Sequence, residues 1–152
     1  MRRALDWVDL PPVWLIGFLF VTWQQARVWP GPAALHAAGG LAGGLLIGGG
    51  VILVALAVSE MRAQKTTVIP HRTPRALVQS GIFRRSRNPI YLADLLFLAG
   101  FALATGAWPS LVLVPLLGWL LTDRFILPEE ARLAETFGPA FDAYAARTRR
   151  WI

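Results

Sequence analysis

Between Ala33 and Val58 the sequence runs through 26 residues without a single Asp, Glu, Lys or Arg, and seven of them are glycine. At about 20 residues per bilayer crossing, a block of this length can span a membrane. In water so many glycines make a poor helix, whereas in lipid the backbone must satisfy its own hydrogen bonds and the helix is enforced. The pairs Gly39/Gly43, Gly40/Gly44 and Gly44/Gly48 have the four-residue spacing that lets a second helix approach closely. That second helix belongs either to the same chain or to another copy, which leaves a homo-oligomer through the glycine-rich helix open.

Three further apolar blocks complete the pattern. Val8–Trp23 is short and carries Pro11-Pro12 near its start, so it calls for tilt or local bilayer thinning. Ile90–Ala104 and Leu111–Ile126 are separated by a short turn around Gly106–Pro109, which predicts an antiparallel helical hairpin. A chain of 152 residues with 55% hydrophobic content cannot hide such blocks in a soluble core. The expected fold is all-α: a polytopic membrane protein with four transmembrane helices and a C-terminal interfacial helical segment. It reads as a single domain, with two spans in 1–60, a cytoplasmic loop in 61–89, the hairpin in 90–127 and the interfacial helices in 128–152.

Charge sets the expected topology. Arg2, Arg3, the seven Lys and Arg between Arg62 and Arg87, Arg124, Arg132, Arg147, Arg149 and Arg150 fall on one side of the four-span arrangement, and Arg27 on the other. Basic residues favour the cytoplasmic side, so both termini are expected in the cytoplasm, with the protein integral to the cytoplasmic membrane. The net charge of +6 is thereby accounted for by flanks of apolar blocks, and nucleic acid is not an expected partner. Zero cysteines exclude disulfides, thiolate metal sites and a cysteine nucleophile. His36 and His71 are isolated, and no metal site is expected.

After Pro128 the pattern changes. Glu129-Glu130 places acid in the first turn of a helix, where the helix dipole favours it. Leu133, Phe137, Phe141 and Tyr144 share one helical face, opposite Arg132, Glu135 and Asp142. Gly138-Pro139 divides the segment into two short helices or one kinked one. Such a segment lies along the membrane surface or folds back on the loops.

Two polar clusters therefore flank the hairpin on one membrane side. The first is Leu77-Val78-Gln79-Ser80-Gly81-Ile82-Phe83 with Arg87-Asn88-Pro89-Ile90-Tyr91. The second is Asp123-Arg124 with Glu129-Glu130. Ser80-Gly81-Ile82-Phe83, then Arg87 to Tyr91, then Glu129-Glu130 followed by Leu133, Phe137-Gly138, Phe141 and Tyr144, resembles the isoprenylcysteine carboxyl methyltransferase family. The wider group includes integral-membrane phospholipid methyltransferases, and the resemblance covers the chain from about Thr66 to Trp151.

The resemblance implies methyl transfer from S-adenosyl-L-methionine to a lipophilic small-molecule or lipidated acceptor, at the cytoplasmic face, with membrane lipids as partners. The cofactor-binding positions it implies are Arg75, Leu77, Val78, Gly81, Phe83, Asn88, Pro89, Ile90, Tyr91 and Glu129. Arg87, Arg124 and Tyr91 are the implied catalytic positions. Asn88 stands where many members have histidine, and Phe83 where a tyrosine is common. Arg124 lies near the place of a family arginine about one turn before the acidic pair.

The chemistry suits these residue types. A carboxylate such as Glu129 holds ribose hydroxyls or an amino group, and aromatic side chains wall an adenine or approach a sulfonium through cation–π attraction. A carboxylate acceptor needs no base, only Arg87 or Arg124 to orient it. An amine acceptor, such as a phospholipid head group, has to be deprotonated by Glu129, Glu130 or Asp94. The absent histidine favours orientation over base catalysis.

Ordinary roles compete for the same residues. Pro89 suits the first turn of a helix with Asn88 as its cap. Tyr91, Trp7, Trp23, Trp29, Trp108 and Trp151 suit interfacial anchoring, and the tail arginines Arg132, Arg147, Arg149 and Arg150 suit anionic lipid. Asp94, the one acid inside an apolar span, faces either the bundle or a cofactor cavity, because intramembrane charge is costly. The contrasting reading of the whole chain is a non-catalytic membrane scaffold or transporter subunit.

Overall fold

The computed structural model describes residues 9–29, 31–32, 36–64 and 76–152. Within them the chain is helical throughout: α1 (Pro11–Val28), α2 (His36–Ala63), α3 (Pro89–Ala104), α4 (Leu113–Leu121), α5 (Leu127–Phe137) and α6 (Pro139–Arg147). Short 3-10 turns, Gly81–Arg84 and Trp108–Val112, lead towards α3 and α4. Proline opens α1, α3 and α6, at positions whose N–H has no partner in a helix anyway.

α3 is the central helix and touches α1, α2 and α4. Its contact with α2 is nearly backbone on backbone. A Cβ added to Gly39 would sit 2.7 Å from the Leu103 carbonyl, and one on Gly100 would sit 2.7 Å from that of Gly43. Gly50 meets the Phe97 ring in the same way. One glycine row of α2 is thus spent inside the chain. Gly40, Gly44 and Gly48 instead face outward, where an added methyl group would have no atom within 4 Å. On the other side of α3, Leu98, Leu117, Leu121 and Phe125 form the buried core, flanked by Trp14, Phe18 and Tyr91.

The bundle is closed at the end away from α5. Gly106, at φ 71°, makes the turn of the hairpin, and its carbonyl accepts the Gly31 N–H at 3.1 Å. Ser110 donates to Gln25 at 2.9 Å, and Trp108 packs against Gly31 and Gly39.

Two helices among the described residues, not the four expected, are long and apolar enough to cross a membrane: Ala38–Ala63 and the continuous 30-residue helix Trp108–Phe137. α3 has 16 residues, and α1 ends on Gln24-Gln25-Ala26-Arg27, which dilutes its apolar character. The outer surface is nonetheless apolar, with Ile16, Phe20, Leu41, Leu45, Ile52 and Trp119 all more than half exposed. Only 17% of the most apolar stretch of Ala38–Ala63 is buried, the reverse of a helix in a soluble core.

The fourth apolar block continues where the sequence predicts a stop. Pro128 lacks an N–H and its ring obstructs a regular helical turn, yet the chain passes it as helix. A π turn, Thr122–Ile126, absorbs the mismatch by giving the Leu127 N–H the wider-spaced Thr122 carbonyl. α5 then ends at Gly138, at φ 49°, and α6 starts afresh at Pro139, dividing the segment as its Gly-Pro pair requires.

Candidate active site

The site lies where α2 ends, α3 begins, α4 runs on into α5, and α6 folds back. Ser80 donates to the Glu60 carboxylate at 2.5 Å, and Gln64 donates to Ser80 at 2.7 Å, so the last turns of α2 carry the loop that precedes α3. Gly81, at φ 57°, turns tightly against the Glu60 side chain, where a Cβ would collide. Val78 is buried, Leu77, Phe83 and Ile90 are half-buried, and Arg84 and Arg85 point outward. Arg75 lies outside the described residues.

The stripe Leu133, Phe137, Phe141 and Tyr144 turns inward at its C-terminal end, where Phe141 and Tyr144 are 6% and 3% exposed. Tyr144 donates its hydroxyl to the Phe83 carbonyl at 2.7 Å. Burial pushes the pKa of that hydroxyl up to about 12, so it stays protonated and remains a donor. Arg147 bonds Gln79 in the same loop. Of the two dispositions open to this segment, folding back on the loops is the one adopted. Arg132, Glu135 and Asp142 lie on the opposite face, as their spacing predicts, with Arg132 and Asp142 exposed.

The acidic pair at the start of α5 divides its work. Glu129 accepts the Tyr91 hydroxyl at 3.3 Å, joining the first turn of α3 to the first turn of α5 across the hairpin. Glu130, 14% exposed, takes two arginines: Arg87 at 3.2 Å and Arg150 through paired contacts of 2.7 and 3.1 Å. These bonds to Glu130 hold the Arg150 guanidinium above its ordinary pKa. Arg87 is itself 15% exposed, and its Nε is buried with no partner among the described residues.

Residues after α6 complete the enclosure. Arg87 donates its backbone N–H to the Arg149 carbonyl at 3.0 Å, and Asn88 donates its side-chain amide to the Arg150 carbonyl at 3.1 Å. Asn88 therefore makes no side-chain cap on α3; Ser86 Oγ accepts the Asn88 N–H at 3.1 Å instead. Asp94, one turn below Tyr91, is 9% exposed and has no hydrogen bond among the described residues.

A family model described as phospholipid methyltransferase matches residues 39–140. The chain belongs to the phospholipid methyltransferase family. The match begins within α2, earlier than the motifs legible in the sequence, and takes in the loop, the hairpin, α5 and the start of α6. Neither the curated proteins nor the solved structures contain a match.

Of the positions that the sequence singles out in this family member, Gly81, Phe83, Arg87, Asn88, Pro89, Tyr91 and Glu129 cluster at one end of the bundle. Arg124 does not join their hydrogen-bond network. Its Nε bonds Asp9 at 2.6 Å, and its guanidinium lies 5.6 Å from the Trp14 ring centroid, tying the π turn to the start of α1. Sequence reasoning underrates Glu130 and Arg150, offering the one as a base and the other as a lipid contact. The adjacency of Glu130 to Glu129 is a signal; the pairing of residues 130 and 150 has none.

A cleft of about 410 Å³ opens between α3 and α4 beside this cluster, lined by Leu92, Leu95, Pro115, Gly118, Trp119, Thr122 and Trp151. The Thr122 hydroxyl is already committed to the Gly118 carbonyl at 2.7 Å. The cleft is consequently apolar along its length.

Proposed function

We propose that this chain transfers a methyl group from S-adenosyl-L-methionine to a lipid-like or lipidated acceptor, a carboxylate, at the cytoplasmic face of the membrane. The observation that carries the reading is the Tyr91–Glu129 bond, which draws two segments 38 residues apart into one cluster. Membership of a methyltransferase family supports the reaction type. The apolar exterior supports a bundle embedded in lipid, α1 and α3 lying beside the two long helices, and the distribution of basic residues in the sequence supports cytoplasmic termini.

The residues present fit the cofactor. Glu129 is a half-buried carboxylate suited to ribose hydroxyls or an ammonium, Gly81 lets backbone approach closely, and Arg87 keeps a buried donor unpaired among the described residues. Leu77, Val78 and Phe83 would supply apolar and aromatic wall, and Tyr91 would offer a ring to the sulfonium. S-adenosyl-L-methionine when bound supplies an electrophilic methyl group, so the protein has chiefly to align the partners. Glu130 fixes Arg87, whose guanidinium would orient the acceptor carboxylate. Tyr91 is fixed by Glu129, and the α3/α4 cleft takes the acceptor's apolar chain sideways from the bilayer.

A second reading is methylation of a phospholipid amine, favoured by the family's description and by Asp94, a carboxylate without a hydrogen bond among the described residues and placed to take a proton. Incubating the purified protein in lipid nanodiscs with methyl-labelled cofactor separates the two. Base-labile product indicates an ester, and base-stable product a methylamine. Absence of both label transfer and calorimetric cofactor binding would refute the enzyme reading in favour of a scaffold.

A further inference from the structure

Trp151 follows α6 and stands outside the family-matched stretch, yet it forms part of the α3/α4 cleft together with Leu92, Trp119 and Thr122. Interfacial anchoring predicts an indole directed at the lipid head groups, not one lining a cavity. Its backbone neighbours are held firmly. Arg149 accepts from the Arg87 N–H, Arg150 accepts from Asn88, and the Arg150 guanidinium is paired with Glu130. Thr148, at the base of this strap, is 4% exposed and donates its backbone N–H to the Tyr144 carbonyl at 3.0 Å.

The strap therefore spans the site. It is bonded to the loop before α3 and to α5 after the hairpin, and it sets one large rigid side chain into the apolar cleft between them. We propose that Trp151 is a specificity-determining residue, whose indole limits the width of the apolar chain that the acceptor lays between α3 and α4. This rests on the methyltransferase reading above. The physical basis is that an indole in the lining narrows the groove, so that a branched chain overlaps it where a linear one passes. Pro115 and Gly118 in the α4 wall offer no long side chain to take over that role.

The test compares the full chain with Trp151→Ala and Trp151→Phe in phosphatidylcholine nanodiscs. The kcat/KM values are measured for paired linear-chain and branched-chain carboxylate amphiphiles, with cofactor affinity measured by calorimetry. A hydrophobic pocket that gains or loses a group discriminates by roughly tenfold or more, so the branched-to-linear ratio should rise at least about tenfold in Trp151→Ala and less in Trp151→Phe. Cofactor affinity should be unchanged. A constant ratio, or a parallel fall on both acceptors as lost anchoring would produce, overturns the proposal.

A second arm needs no turnover. A diazirine-bearing branched fatty acid is photolysed with each protein, and the labelled peptides are mapped. Labelling of the Leu92–Leu95 and Gly118–Thr122 peptides should increase in Trp151→Ala, and unchanged or absent labelling in both proteins overturns the assignment. If wild-type protein neither binds the cofactor nor transfers methyl, the methyltransferase reading fails on its own, and the labelling still decides whether Trp151 bounds the cleft.

Discussion

Replacing Glu130 by alanine removes one carboxylate that holds two arginines on two different segments. Arg87, 15% exposed, loses the carboxylate that pairs with its largely buried charge, while Arg150, 35% exposed, regains water and loses little. Breaking a fully buried pair costs about 3–5 kcal/mol, and partial access of solvent to both arginines lowers this to about 2–3 kcal/mol. The cost falls on a local unit, because the strap after α6 is joined to the loop at Arg87 and Asn88 by backbone and amide bonds that depend on its placement. The Arg87 amide, bonded to the Arg149 carbonyl, reports that placement directly. Hydrogen exchange at this amide should accelerate roughly 30- to 150-fold in Glu130→Ala, while amides in the middle of α2 and α3 keep wild-type protection. Arg150→Ala should accelerate it less, since the backbone bonds of the strap remain. Unchanged protection at Arg87, or equal acceleration through α2, would refute the view that Glu130 locks the strap locally.

Other outcomes follow from the same geometry. Tyr91→Phe deletes one hydrogen bond to a carboxylate and should weaken calorimetric binding of S-adenosyl-L-methionine by roughly 10-fold or more, with the thermal unfolding profile little changed. Gly43→Ala forces a methyl into the backbone of α3 and should destabilise by about 1–3 kcal/mol, whereas Gly44→Ala, which meets nothing within 4 Å, should unfold at or above the wild-type temperature in detergent. Arg124→Ala breaks an exposed pair with Asp9 and should leave cofactor affinity unaltered. Tyr144 has a raised folded-state value of about 12 against an ordinary 10.0, so its contribution is complete below the ordinary value and disappears as pH climbs through about 12. Its tie to Phe83 should thus survive unchanged from neutral to mildly basic pH in a tyrosine absorbance titration, with Tyr144→Phe removing the component that titrates at about 12.

The all-α class, the hairpin and the division of the last segment at Gly138-Pro139 are legible in the sequence, because apolar run length and Gly-Pro punctuation act locally. The clustering of Arg87, Tyr91 and Glu129 is legible too, since a hairpin with a short turn returns its ends to one level. Span number is not. α1 carries a polar last turn and α3 is short, and how such helices sit depends on the partners that flank them. The passage through Pro128 is also hidden, because a π turn upstream changes which carbonyl each N–H meets.

Sequence alone determined that long apolar runs form helices, that Gly138-Pro139 divides the last segment, and that an acidic pair opens the helix after the hairpin. All are consequences of which residue types stand next to one another along the chain. Tertiary structure alone decided that Glu129 serves Tyr91 while Glu130 serves Arg87 and Arg150, and that Arg124 goes to Asp9. Adjacent residues on a helix point about 100° apart, so the partner of each depends on which segment the fold lays against that side.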